Sequence, residues 1–227
     1  MINSNKWLAG VLAISCSASV CAGEAYVFND PGLTGYKEGN SIAGVYSSTS
    51  EQFSCSFFFF QKQSPSDVAD KDGFSDTPIL TFASGDRSLT FEDRDKRFDI
   101  NGDLYRQDQK WVIRTSRAQA GCENSAGTFI FDLGSPNARI YWVVQTIPAI
   151  GIRLVKNKTH FYDNTDGKYV ARKGYLTRWD NVLLLKTKDE FSYVRFVDPR
   201  ADLKSTGKVS TGWVHSIDLA NPLPPLK

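Results

Sequence analysis

Short runs of aromatic and β-branched residues, each cut off by glycine or by an Asx-Gly pair, set the limits on what this chain can fold into. Tyr26-Val27-Phe28, Phe57-Phe58-Phe59-Phe60 and Trp111-Val112-Ile113 are of strand length and strand composition. With 17 glycines and an aromatic content of 13%, the balance tips toward strands joined by tight turns. The expected fold class is all-β.

The first 22 residues stand apart. Lys6 supplies a positive start, Trp7 to Ile14 an apolar stretch too short to span a bilayer, and Val20-Cys21-Ala22 fits the pattern read by signal peptidase. Residues 1–22 therefore read as a signal peptide cleaved after Ala22, which sends the rest to a bacterial periplasm. A lipoprotein reading at Cys21 is disfavoured by the bulk of Val20. No later stretch is long and apolar enough to suggest membrane insertion. Cys16 and Cys21 fall within the signal, leaving Cys55 and Cys122. In an oxidising compartment two cysteines most simply form one disulfide; the alternative, a reactive thiol, requires a neighbouring base. The 27 basic and 25 acidic residues nearly cancel, so charge gives no argument for a nucleic-acid partner.

The remaining roughly 200 residues suit two small domains or one large one. Residues 23–146 read as an N-terminal, sandwich-like β domain with one disulfide. Gly32, Gly35, Gly39 and Gly44 make Gly23 to Thr49 look irregular. Phe53 to Gln61 alternates at first and then turns apolar on both faces, the mark of a central strand. Gln63 to Pro78 reads as a loop, followed by short strands at Ile79 to Ala83 and Ser88 to Phe91. Asn101-Gly102 is a hairpin signal, since both residues tolerate positive φ. Lys110 to Arg114, Thr128 to Phe131 and Arg139 to Gln145 continue the β pattern, with the Gln119 to Asn124 loop pinned to the Phe53–Phe60 strand by the disulfide. Thr146 to Ile150 marks the boundary, because Pro148 interrupts the pattern. Residues 151–219 then hold five short strands (152–156, 168–171, 181–186, 191–198 and 211–215) turning at Asp166-Gly167 and Lys188-Asp189-Glu190. Five strands in that span fit a small, partly closed barrel, with 220–227 as a C-terminal tail.

This second segment resembles bacterial SH3-like (SH3b) domains. The likeness rests on Lys158/Phe161/Tyr162, Lys173/Tyr175/Leu176, Phe191/Tyr193/Val194 and Thr211/Gly212/Trp213/Val214 with Asp218/Leu219, in that order. The polar insert from Asp198 to Ser210 departs from it. The first half is loosely similar to exported domains carrying Gly102/Leu104/Tyr105, Trp111/Ile113 and Ala120/Gly121/Cys122. The whole chain resembles small exported immunity or inhibitor proteins. The resemblance implies a binding function: steric blocking of a periplasm-acting toxin or, alternatively, a grip on peptidoglycan through the SH3-like domain.

The residues themselves point to no chemistry. Asp99-x-Asn101-x-Asp103 opens like a calcium loop, but Leu104 and Lys110 stand where its glycine and glutamate belong. His160 and His215 lack partners at zinc spacing. Gly39-Asn40-Ser41-Ile42-Ala43 misses the nucleophile elbow. Glu92, Asp93, Asp95 and Asp99 alternate with Arg94, Lys96 and Arg97 as a solvated face that could serve as a docking rim. No residue is assigned a catalytic, metal or cofactor role, so a cell-wall hydrolase is the least favoured reading. Trp213 is expected inside the small barrel, with Val214 facing out. Tyr162, Tyr175, Trp179, Tyr193, Asp93 and Asp95 are the expected partner-binding residues, since amphipathic rings suit binding faces.

Overall fold

The computed structural model describes residues 23–50, 52–62, 73–125, 127–200 and 207–226. The signal-peptide reading of residues 1–22, with Cys16 and Cys21, and most of the polar stretch after Lys62 lie outside them. The chain is all-β in two parts. Strands β1 (Gly23–Phe28), β2 (Leu33–Glu38), β3 (Ser41–Thr49), β4 (Ser54–Gln61), β5 (Ser75–Phe82), β6 (Ile100–Gln107), β7 (Lys110–Thr115) and β8 (Tyr141–Ala149) pair in sequence, and β8 returns to β1. The first part is thus a single sheet closed into an eight-stranded barrel, with both faces of the expected sandwich belonging to that one sheet. The second part is a curled seven-stranded sheet, ordered β11-β10-β14-β13-β12-β9-β15. Its strands are β9 (Gly151–Val155), β10 (Thr159–Thr165), β11 (Lys168–Leu176), β12 (Asn181–Lys188), β13 (Phe191–Val197), β14 (Val209–His215) and β15 (Leu219–Ala220).

The barrel lumen is a packed core. Phe28, Tyr46, Phe57, Phe59, Trp111, Phe129 and Tyr141 fill it with aliphatic side chains between them. Their bulk explains the glycines that made the first hairpin look irregular. Gly35 and Gly44 sit opposite each other inside β2 and β3. A Cβ on Gly44 would meet the Phe59 ring at 2.2 Å, and one on Gly35 the Trp111 ring at 2.8 Å. The two glycines are seats for rings, and β1 to β3 are regular strands.

β4 bears out the two-faced reading. Cys55, Phe57 and Phe59 point into the lumen, while Phe58 and Phe60 point outward. The outward pair is covered by a second cluster shared between the parts. It joins Tyr36, Ala43, Val45, Phe58 and Phe82 of the barrel to Ile152, Leu154 and Leu183 of the sheet, and to Ala220 and Leu223. The residues expected as a tail are therefore part of this seam. Only Ile150 separates β8 from β9. Its carbonyl accepts a hydrogen bond from the Tyr36 hydroxyl at 2.9 Å, and burial pushes that phenol up to about 12, so it stays a donor.

Cys55 is bonded to Cys122, 67 residues on, with both buried in the lumen cluster. Cys122 opens a one-turn helix, Cys122–Ser125. The loop that follows carries Phe129, whose carbonyl accepts from the Thr115 N–H at 2.7 Å and whose ring packs against Tyr46 and Phe57. Thr128 to Phe131, expected as a strand, is this irregular segment.

Other expectations shift for identifiable reasons. Asn101-Gly102 lies within β6, with Gly102 opposite Thr115. The turn falls instead at Asp108-Gln109, where Asp108 takes a φ of 51°. β5 begins at Ser75, so the expected loop ends earlier and Pro78 is a strand residue. Pro78 is tolerated because its carbonyl accepts from Lys62 N–H, just past the end of β4, where no ladder bond requires a proline N–H. Pro148 likewise lies inside β8, which on one flank pairs with β7 only at Tyr141 and Trp142. Ser88 to Phe91 is a bend, with buried Leu89 at a φ of 60°. In the second part, β10 and β15 are additional strands, and Asp166-Gly167 and Asp189 turn with positive φ as expected. The insert after Asp198 is closed by backbone bonds from Asp198 to Lys208 and from Gly207 to Asp198.

Candidate docking face

Alternation along β13 and β14 sends neighbouring side chains to opposite faces. Val194 and Val214 enter the interior of the curled sheet, with Val155, Leu176, Val182 and Leu184. Tyr193 and Trp213 therefore lie on the other face. This corrects the sequence assignment: Val214 is the core residue and Trp213 is on the outside. A small branched side chain fits the tight interior, whereas a large ring with an N–H suits a boundary.

The register brings further rings to this face. Tyr193 lies opposite Trp213, Phe191 opposite His215, and Tyr162 of β10 opposite Trp213. Tyr169 of β11 stacks on Phe191 with centroids 3.7 Å apart and meets Trp213 edge-on at 5.7 Å. Tyr162 touches Phe191 at 5.3 Å and His215 at 5.1 Å. Lys186 of β12, opposite Tyr193, sets its Nζ 4.8 Å above the Tyr193 ring and 5.3 Å above Trp213. The Tyr193 hydroxyl donates to Thr211 Oγ1 at 3.2 Å.

The rings shelter one another. Phe191 and Trp213 are buried beneath Tyr162, Tyr169, Tyr193 and His215, which are half-buried, and Lys186 is exposed. The result is a rigid plate of π faces with a cation fixed on it. Such a plate offers apolar area, hydroxyl and imidazole edges, and a positive point for a carboxylate.

Of the expected binding residues, Tyr162 and Tyr193 meet here. Tyr175 is apart: it lies on β11 against His160, with Lys158 Nζ 4.1 Å over its ring. Trp179 is in the turn before β12. Asp93 and Asp95 are in the β5–β6 connection of the barrel. Tyr169, Phe191, Trp213, His215 and Lys186 were missed by the sequence reading. The signal that could have found Phe191, Trp213 and His215 is register, since antiparallel pairing of β13 with β14 places them on one face with Tyr193.

The acidic cluster is internally compensated. Asp93 accepts from the Arg87 and Ser88 N–H groups at 2.8 and 2.9 Å, which hold its carboxyl below the ordinary value. Asp95 pairs with Arg97, and this too lowers its carboxyl. Asp99 takes the Arg94 guanidinium at 3.0 Å. Asn101 accepts from Lys62 Nζ, and Asp103 from Arg114, so each residue of the calcium-like spacing, Asp99 just before β6 and Asn101 and Asp103 within it, is bound to a cation. Among the described residues, no group of three His, Cys, Asp or Glu is placed to hold a metal ion. No helix among them is long and apolar enough to cross a membrane.

Asp93 yields a prediction. A carboxyl whose folded value is depressed stabilises the fold above its unfolded value, and that stability is lost as pH falls through the folded value. Asp93→Ala will therefore be less stable than the parent at neutral pH. The gap will close below pH 3.8, the ordinary value, as measured by thermal unfolding across a pH series. A gap that stays constant into acid would contradict the role given to the carboxylate.

No protein-family model, curated protein or solved structure matches this chain.

Proposed function

We propose that the chain is an exported, non-enzymatic protein-binding module, an immunity or inhibitor protein that blocks a periplasm-acting toxin by occluding it. The observation that carries this reading is the face on which rings of β10, β11, β13 and β14 meet the Lys186 cation of β12. Tyr and Trp are the residues that concentrate binding energy at protein interfaces, because they bring large area at little entropic cost. A fitting partner presents apolar side chains to the rings and a carboxylate to Lys186. The buried Cys55–Cys122 bond supports an oxidising address, and it leaves neither cysteine as a thiol nucleophile. His160 Nδ1 lies 3.2 Å from the Arg172 carbonyl, and the His215 ring packs on Phe191, so both imidazoles are in structural contacts.

The test is calorimetric titration of the purified protein with the toxin encoded beside its gene. The expected result is a one-to-one complex, weakened at least tenfold by Lys186→Glu and by Tyr193→Ala, with both variants still folded by circular dichroism at the titration temperature. A complex indifferent to both substitutions would remove the docking face from the proposal. Pelleting of the protein with purified sacculi, in place of toxin binding, would favour peptidoglycan as the ligand and overturn it.

A further inference from the structure

A different part of the molecule carries an independent proposal. The outer face of β3 and β4 changes character along its length. Where Ala43, Val45 and Phe58 lie, it is sealed against the second sheet. Further along, the same face becomes a row of hydroxyls, with Ser47 opposite Ser56 and Thr49 opposite Ser54. Across a gap stand Trp179, Asp180 and Asn181 of the second sheet. The crevice between these walls has a volume of about 400 Å³, within the range of small-ligand sites, which favour clefts between structural units.

Trp179 is held in an uncommon conformation at the mouth. Its φ is 78°, in the left-handed region that bulky side chains rarely enter. The surrounding bonds enforce it. The Trp179 N–H donates to the Val155 carbonyl at 3.0 Å, and the Asp180 N–H to the Thr177 carbonyl at 3.1 Å. Asp180 Oδ2 in turn accepts the Thr177 N–H and hydroxyl, at 2.7 and 3.1 Å. The Arg178 guanidinium lies 5.2 Å over the indole and donates to the Asp86 carbonyl of the barrel, so it spans the two parts beside the ring. Trp179 nonetheless remains 42% exposed. Strain maintained by its surroundings clusters at ligand sites.

We propose that this crevice binds a neutral saccharide. The lining selects for that chemistry by exclusion as well as by fit. Phe58, Leu154 and Pro199 add apolar surface to the lining, but a wholly apolar ligand would strand the serine and threonine hydroxyls without water. An anion would face Asp180, the carboxylate in the lining, and a metal ion would find too few ligands. A sugar offers vicinal hydroxyls to the Asp180 carboxyl, the Asn181 amide and the serine row, and its C–H face suits the flat indole. Burial raises the Asp180 carboxyl above its ordinary value.

The experiment titrates the folded, signal-free chain with chitotriose, cellotriose and maltotriose, following backbone amide shifts by NMR. At least one trisaccharide is expected to move the amides of Ser47, Ser56, Trp179 and Asn181. Its affinity should fall at least tenfold in Trp179→Ala and in Ser56→Trp, which fills the crevice from an exposed strand position, and should persist in Trp179→Phe and Lys186→Glu. Binding that is unmoved by Trp179→Ala and Ser56→Trp would overturn the proposal. So would the absence of shifts at these amides with all three sugars at millimolar concentration.

Discussion

Replacing Cys55 and Cys122 together with alanine will lower the unfolding free energy by about 4 kcal/mol, the expected contribution of a cross-link closing a loop of this length. The bond spans 67 residues, and that segment includes β5, β6 and β7. It fixes the short helix at Cys122 against β4 and so holds Phe129 over one region of the lumen. Urea unfolding of the double variant, of the parent and of the parent under reducing agent is the measurement. The reduced parent should match the variant. Equal midpoints for oxidised and reduced parent would mean that the sheet hydrogen bonds alone hold that segment.

The second large effect lies at the ring seated on Gly44. Phe59 is fully buried, and Phe59→Ala should cost about 4 kcal/mol through lost burial and the cavity left behind. Gly44→Ala should cost about 2 kcal/mol, because its new methyl meets both the ring and the Thr34 carbonyl oxygen, the latter at 2.6 Å, and the closed barrel cannot spread to admit it. The informative variant combines Gly44→Ala with Phe59→Leu. The smaller side chain makes room for the methyl, so the pair should cost about 1 kcal/mol less than the sum of the single changes. Strictly additive costs in chemical denaturation would show that the ring does not rest on that glycine.

What could be read from the sequence was whatever depends on near neighbours along the chain. The two-faced run from Phe57 to Phe60 announced a strand with a core on each side, and the structure supplies the lumen for one face and the second sheet for the other. Asp166-Gly167 and Asp189 turned as their residue types suggest. The cysteine pairing followed from having two candidates left. What could not be read depends on distant partners. Gly35 and Gly44 look like breaks until Trp111 and Phe59 arrive from other strands. Asn101-Gly102 has turn chemistry, yet the pairing of Gly102 with Thr115 overrides it. The parity of Trp213 and Val214 is invisible locally, since both are apolar and only the curl of the sheet decides which one fits inside. The candidate face was half legible for the same reason: Tyr162 and Tyr193 were named, while Lys186 and Tyr169 joined them only through register.

The way Ala220 and Leu223 settle between the barrel and the sheet has a consequence for biogenesis. These residues emerge after β14, Ala220 within β15 and Leu223 beyond it, and the greasy strip formed by Ala43, Val45 and Phe58 stays uncovered until the later strands and this stretch reach it. A fragment stopping at β8 would carry that strip bare and would tend to stick to its own kind. A chain carrying both parts closes its own seam, so its colloidal behaviour depends on residues far along the sequence from the barrel strands they protect.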